Sequence, residues 1–187
     1  MANSELTPAT GVLLIAPPMM DDPNFKRTII LLCEHGAEGS FGLILNRTLS
    51  LQLNEVVDGM TGYTGFLSQG GPVLQNTLHV LHRIGARVGE TREVVSEVYW
   101  GGDFDAIQAI LASREASEDD FRFFLGYAGW SPGQLETEIE QGGWILAISD
   151  ESMIFSAEPK RLWSDTLRRL GGEFALLANY PEDPRMN

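Results

Sequence analysis

Cys33, Glu34 and His35 are consecutive, and a thiol, a carboxylate and an imidazole are the parts of a nucleophilic or metal-binding centre. Their spacing argues against local cooperation. In a strand Cys33 and His35 share a face about 6.5 Å apart while Glu34 points the other way, and a cysteine inside Leu31-Leu32-Cys33 reads as a small buried hydrophobe. His79 and His82 lie three apart in an extended run, so they leave on opposite faces and chelate poorly. With no third ligand to place, neither a metal nor any other cofactor is expected. His82, between Leu81 and Arg83 at a strand end, suits a polar site better, its alternative use being a hydrogen bond within a sheet edge. Gly70-Gly71-Pro72 could converge backbone amides on an anion. However, the glycine-rich loops of nucleotide sites are missing, and the triplet also reads as a tight turn. Gln134 and Glu138 share a helix face at i, i+4 and could point into a cleft bounded by Tyr127 and Trp130.

The element that must position that cleft is Gly126-Tyr127-Ala128-Gly129-Trp130-Ser131-Pro132-Gly133-Gln134. A strand over Phe121 to Leu125 should enter a glycine-flanked aromatic corner. Ser131 and Pro132 should then open a helix with Gln134 as the cap's partner. That helix carries Leu135 and Ile139 inward and Glu136, Glu138 and Glu140 outward, and ends at Gly142-Gly143.

Upstream, Val12 to Ala16 reads as a first strand stopped by Pro17-Pro18, and Asp22-Pro23 as the cap of one turn that carries Phe25 inward. Thr28 to Glu34 and Ser40 to Asn46 read as a hairpin with a five-residue loop. Neither run alternates cleanly, which predicts cover on both faces. Leu51 to Val57 is expected as a short helix and Gly59 to Gly65 as a mobile loop. Strands are expected at Phe66 to Gln69, Thr77 to His82, Arg92 to Val95 and Val98 to Trp100. Asp103 should start a helix that turns Phe104, Ile107, Ile110 and Leu111 to the sheet. Trp144 to Ile148 and Met153 to Phe155 read as a strand pair. Pro159 to Leu170 reads as an amphipathic helix with Leu162, Trp163, Thr166, Leu167 and Leu170 inward and Lys160, Arg161, Arg168 and Arg169 outward, closed by Gly171-Gly172. Strands and helices mixed without a βαβ rhythm indicate a single α+β domain over 11–175, its mixed or antiparallel sheet curled into a pseudo-barrel, with a disordered tail at 1–10 and a C-terminal tail at 176–187.

At 187 residues the chain can bury a core without disulfides or metals. No apolar run approaches the roughly 20 residues of a membrane span. The amino terminus lacks the basic and apolar regions of a signal peptide, and the lone cysteine suits a reducing compartment, so a cytoplasmic monomer is expected. Thirteen basic residues against 26 acidic ones give a net charge of −13, which repels polyanions. The acid gathers between Glu90 and Asp120, opposed there by Arg92 and Arg114, and reads as a solvated face. The basic stripe Lys160, Arg161, Arg168 and Arg169 has no interleaved aromatics, so it too reads as solvated.

Asp22-Pro23-Asn24-Phe25-Lys26-Arg27-Thr28, Glu34-His35, Gly42 to Arg47, Gly70-Gly71-Pro72-Val73, Leu81-His82, Gly126 to Trp130 and Gly133 to Glu136, in that order, resemble the YqgE/AlgH family of bacterial proteins from about Gly11 to Gly171. Ser40-Phe41 departs from the alanine-containing turn common there, and Gly85 to Val98 is undiagnostic. The resemblance implies a single α+β domain with a pseudo-barrel sheet and external helices. It implies no reaction: members are uncharacterised or carry a transcriptional-regulator label. Two classes of function follow. The first is a non-catalytic binding or regulatory protein that recognises a small ligand or a protein partner through Tyr127, Trp130, Gln134 and Glu138, with Arg27, His35, Asn46, Gly70, Gly71 and His82 as neighbours. The second is a hydrolase-like enzyme joining His35 or His82 to Glu34, Asp22 or Glu138. Direct transcriptional regulation through DNA stands as a third reading, against the net charge.

Overall fold

Five successive buried residues, Ile29 to Cys33, show at once that the central strand is covered on both sides. A computed structural model of the chain describes residues 6–181. Ten strands form one curled sheet: β1 (Val12–Ile15), β2 (Ile29–Gly36), β3 (Gly39–Ile44), β4 (Thr48–Gln52), β5 (Phe66–Gln69), β6 (Val73–His82), β7 (Thr91–Val95), β8 (Val98–Gly101), β9 (Phe121–Trp130) and β10 (Ile145–Ile148). The main order is β10-β1-β2-β3-β9-β6-β8-β7, and β5 joins β9 in parallel and β4 in antiparallel fashion. Helices α1 (Phe104–Ser113), α2 (Gln134–Glu140), α3 (Glu151–Ile154), α4 (Pro159–Leu170) and α5 (Gly172–Leu177) pack around it. The result is a single domain with a curled antiparallel half-barrel and helices, the expected α+β class.

The alternation of β2 divides the core. Ile29, Leu31 and Cys33 point to a cluster containing Trp163 and Leu167 of α4. Ile30 and Leu32 point to a second containing Trp130, Leu135 and Trp144. A third cluster lies under Ile107, Ile110 and Leu111 of α1. That helix starts as expected, with the Asp103 side chain accepting from the Ala106 amide at 2.9 Å.

β9 is the spine. Its first half pairs with β6, and its end, from Ala128 to Trp130, pairs with β3. Gly126, at φ +67°, marks the change. Gly70 and Gly71 cross β9 at this point: a Cβ on Gly70 would lie 2.2 Å from the Gly126 oxygen, and one on Gly71 2.1 Å from the Tyr127 carbonyl carbon. The Gly70 amide already donates to Leu125 O at 2.8 Å. The pair is therefore a backbone crossing rather than an anion nest or a tight turn.

Several local expectations change. The hairpin loop is two residues, Ala37 and Glu38, because β2 and β3 extend to a Gly36–Gly39 pair. The register shifts between Leu32 and Glu34, so Cys33 is an extra residue and the faces reverse beyond it. Residues 48–52 are strand β4, followed by a tight helical turn at Leu53–Glu55. The loop 59–65 buries Met60 and Tyr63 in the third cluster, which ties it down. β9 continues through the expected corner to Trp130. β10 pairs with β1, while residues 151–154 are helix α3, capped by Asp150, whose side chain accepts from the Met153 amide at 3.0 Å. Gly171 ends α4 but α5 follows at once. Of the expected tails, 1–5 and 182–187 lie outside the described residues, and Leu6 packs on the second cluster.

Candidate functional site

At the end of β9 the chain turns over Ser131, Pro132 and Gly133, the last at φ +76°, and enters α2. Gln134 accepts from the Ser131 amide at 3.0 Å, which is half of the expected capping box, while the Ser131 side chain makes no cap bond. The Gln134 amide nitrogen then donates to Glu138 Oε1 at 2.9 Å. The other carboxylate oxygen, Oε2, accepts from the indole of Trp130 at 2.9 Å and from that of Trp144 at 2.8 Å. Glu138 was read both as an outward residue of the helix and as a neighbour of Gln134 that could point into the cleft, and the second is what the hydrogen bonds show. It faces inward because two buried indole N–H donors each need an acceptor and a carboxylate can serve both.

Trp144 reaches this point through Gly142-Gly143. The Gly143 amide donates to the Glu138 carbonyl at 2.8 Å, and a Cβ there would come within 2.9 Å of that oxygen. Phe25 completes the floor, 5.6 Å edge-on from Trp144 and 6.4 Å stacked from Trp130. It is placed by the expected Asp22 turn, in which Asp22 Oδ1 accepts from Asn24 N at 2.8 Å and the Asp22 carbonyl from Phe25 N at 2.9 Å. These groups line a cleft of about 410 Å3 with Met20, Asp22 and Gln141. Its acids are Asp22 and Glu138, and no basic or nucleophilic side chain faces it among the described residues. Aromatic surface next to carboxylates can hold a cationic or amphipathic group.

The structure thus brings Trp130, Gln134 and Glu138 together and separates the other expected residues. Tyr127 lies on the opposite face of β9, stacked on Phe41 at 4.7 Å, as a three-residue offset in a strand requires. Asn46 Oδ1 accepts from Ile29 N at 2.9 Å, and its amide nitrogen donates to Arg27 O at 2.8 Å, so it extends the β2 ladder. Arg27 lies over the Trp163 ring at 4.4 Å and donates to the Tyr180 carbonyl. His82 is wholly buried, with Nε2 3.0 Å from Thr91 Oγ1 and 3.1 Å from Gly101 O. Burial holds its pKa below the usual histidine value, with the Gly101 bond acting against that. Gly70 and Gly71 serve the crossing described above.

His35 is placed by the bulge. Its Nδ1 lies 2.8 Å from Ser40 Oγ across the hairpin, and its Nε2 3.6 Å from Glu136 Oε1 of α2. Cys33, which was expected on the same face, lies in the first cluster instead, because the extra residue reverses the alternation. Burial drives its thiol pKa far up, which suits a core residue and not a nucleophile. Glu34 pairs with Arg92 at 2.9 Å on the surface. A second cleft of about 310 Å3 surrounds the hairpin tip and meets the first at Trp130. His79 contacts Phe41 and Tyr127 while His82 contacts Tyr99 and Phe121, so the two histidines do face apart. Among the described residues no group of three His, Cys, Asp or Glu is arranged to hold a metal. Sequence reasoning placed Phe25 and Trp144 in elements but not in the site; the available signal was that indole N–H groups need acceptors.

Residues 13–175 match the family model described as DUF179: AlgH-like. A UPF0301 protein of Chlorobium luteolum is 45% identical over 179 residues, covering 96% of this chain and 95% of the relative. One of Cytophaga hutchinsonii is 38% identical over 178 residues, covering 95% and 98%. Among solved structures, the solution structure of AlgH from Pseudomonas aeruginosa is similar with a TM-score of 0.74 at 33% identity, covering 96% and 97%. A crystal structure of a Corynebacterium diphtheriae protein has a TM-score of 0.80 at 27% identity, covering 93% of each chain.

Proposed function

We propose that this chain, which belongs to the AlgH-like family, DUF179, is a non-catalytic binding and regulatory protein whose Trp130–Glu138 cleft recognises a cationic small ligand or a cationic segment of a protein partner. Any influence on gene expression is then indirect. The observation that carries this reading is the Glu138 carboxylate, fixed by three donors from Gln134, Trp130 and Trp144 at the mouth of an aromatic cleft without a basic or nucleophilic side chain. Such a group is held for recognition, since its orientation costs nothing further when a cation arrives.

Direct DNA binding is disfavoured by the charge of −13 and by the engagement of the basic stripe. Arg161 pairs with Glu158 and Asp165, Arg168 with Asp165, and Arg169 with Asp150. A titration followed by tryptophan fluorescence, with trimethylammonium compounds and lysine-rich peptides as probes, tests the reading. A saturable change that disappears in Glu138→Gln while the fold is retained supports it; no saturable change with either probe class overturns it.

A hydrolase reading is favoured by one observation, the Ser40–His35–Glu136 chain beside the hairpin cleft. It would make Ser40 the nucleophile and His35 its base. Turnover of a p-nitrophenyl ester that vanishes in Ser40→Ala would establish it, and equal background rates in the two proteins would remove it.

A further inference from the structure

A third cleft, of about 510 Å3, opens at the beginning of β9, the other end of that strand from the Ser131 turn, and it contains two arginines, Arg83 and Arg122, together with Tyr63, Phe121 and Phe155. Arg122 stands alone in the apolar run Phe121-Arg122-Phe123-Phe124. Its guanidinium donates to the carbonyls of Ile154 and Leu45 (2.5 and 2.8 Å) and to Ser68 Oγ (3.1 Å) and lies 5.2 Å from the Phe124 ring centre. All of these partners are neutral. Among the described residues no carboxylate lies within ion-pair distance of Arg122, although the chain carries twice as many acids as bases. Burial lowers its pKa to about 10, which leaves it charged at neutral pH. Its three contacts thus use neutral acceptors alone and leave its charge without a counter-ion.

At the second arginine one donor is unmet. Arg83 pairs with Glu151 at 2.6 Å and Asp120 at 3.3 Å and donates to Asp119 O at 3.1 Å through its terminal nitrogens. Its Nε is buried and has no acceptor. A guanidinium with no anion beside it, next to an arginine whose buried Nε–H is unmet, leaves this aromatic-walled cleft short of one oxygen anion, since a buried donor left unmade costs its full desolvation.

We infer that the Arg83–Arg122 cleft binds the carboxylate of a small ligand, one bearing an amino group in the manner of an α-amino acid. The second half follows from the rim. Glu118 and Asp119 also line the cleft, and Asp120 and Glu151 stand behind Arg83. Four carboxylates near two guanidinium groups repel a dianion such as phosphate and accept a zwitterion, whose ammonium faces the acids while its carboxylate meets the arginines. The Glu118 carboxylate is held in place by the Thr64 amide and hydroxyl, at 2.6 and 2.9 Å.

The full-length protein, with its arginine Nε–H signals followed by NMR, is titrated with glycine, acetate, inorganic phosphate and sodium chloride at constant ionic strength. Glycine should shift the Arg83 and Arg122 signals saturably and more tightly than acetate, chloride should not shift them, and Arg83→Gln should weaken glycine binding about tenfold or more. Arg122→Lys, which keeps the charge and loses the planar fork, should weaken it too. Arg83 lies at the rim, so its variant remains interpretable if Arg122→Lys does not fold. Saturation by none of the probes, phosphate binding tighter than glycine, or unchanged affinity in Arg83→Gln would each overturn the inference.

Discussion

Trp130 and Trp144 meet edge to face with 5.9 Å between ring centres, and both donate their indole N–H to the same oxygen of Glu138. One carboxylate therefore joins the end of β9, the helix α2 and the start of β10. This makes Glu138 structural, and substitution separates that role from the recognition proposed for it.

Glu138→Ala removes the acceptor from two buried indoles and should destabilise the protein by about 2–3 kcal/mol, the cost of losing charge-assisted bonds and orphaning their donors. Glu138→Gln keeps one acceptor oxygen and should cost about half as much. Urea unfolding followed by circular dichroism checks both. Equal midpoints for Glu138→Ala and wild type would show that the indoles find water instead.

Gly71→Ala should be far more damaging than its size suggests. The new methyl would lie 2.1 to 2.3 Å from the backbone of Tyr127 and Ala128, where nothing flexible can yield. We expect a loss of about 3 kcal/mol or more, beyond the usual cost of overpacking. Pro72→Ala, next along the chain and outside the crossing, serves as the control, and a thermal melt distinguishes the two.

These positions show what the sequence could and could not reveal. β5 and α4 were readable to the residue because local signals bound them: glycines after Phe66–Gln69, and Pro159 and Gly171 around the helix. Residues 151–154 were misread because a three-residue apolar run has no period, and only Asp150 as a cap distinguishes helix from strand. The bulge at Cys33 has no sequence mark, yet it decides that His35 faces Glu136 and not the core. Within the site, Gln134 and Glu138 followed from helical spacing, whereas Phe25 and Trp144 arrive from segments over 100 residues apart, through strand pairings that no local pattern encodes. Arg122 was not singled out from the sequence, where it is a lone cation in an aromatic strand, because its lack of a carboxylate is a tertiary fact.

Acid should destabilise the protein through His82. Burial lowers its pKa in the folded state, so the neutral ring is favoured there. The unfolded chain takes up the proton first. The stability this residue contributes is thus complete above the unfolded value of about 6.5 and is lost as pH falls through the folded value. His79, lowered by burial as well, acts in the same direction. Urea midpoints should fall between pH 7 and pH 5, and His82→Gln should flatten that slope. A variant slope equal to that of wild type would assign the loss to other groups.

Alkali should act through Cys33 and Tyr63, with the opposite sign of proton exchange. Burial raises both, Cys33 far above its ordinary 9.0 and Tyr63 from 10.0 to about 12, the latter with acids at Glu118 and Asp119 adding to burial and Arg122 opposing it. Unfolded chains then release protons that folded ones keep, so stability is whole below pH 9 and declines above it. The same burial blocks chemistry at the thiol. Native protein at pH 8 should react with iodoacetamide only as fast as it unfolds, and the rate should rise with urea in step with the loss of circular dichroism. Cys33→Ala should unfold less steeply between pH 9 and pH 11 than wild type. Rapid native alkylation would instead mean that β2 opens at its bulge without global unfolding, and would locate the weakest point of the sheet between Leu32 and Glu34.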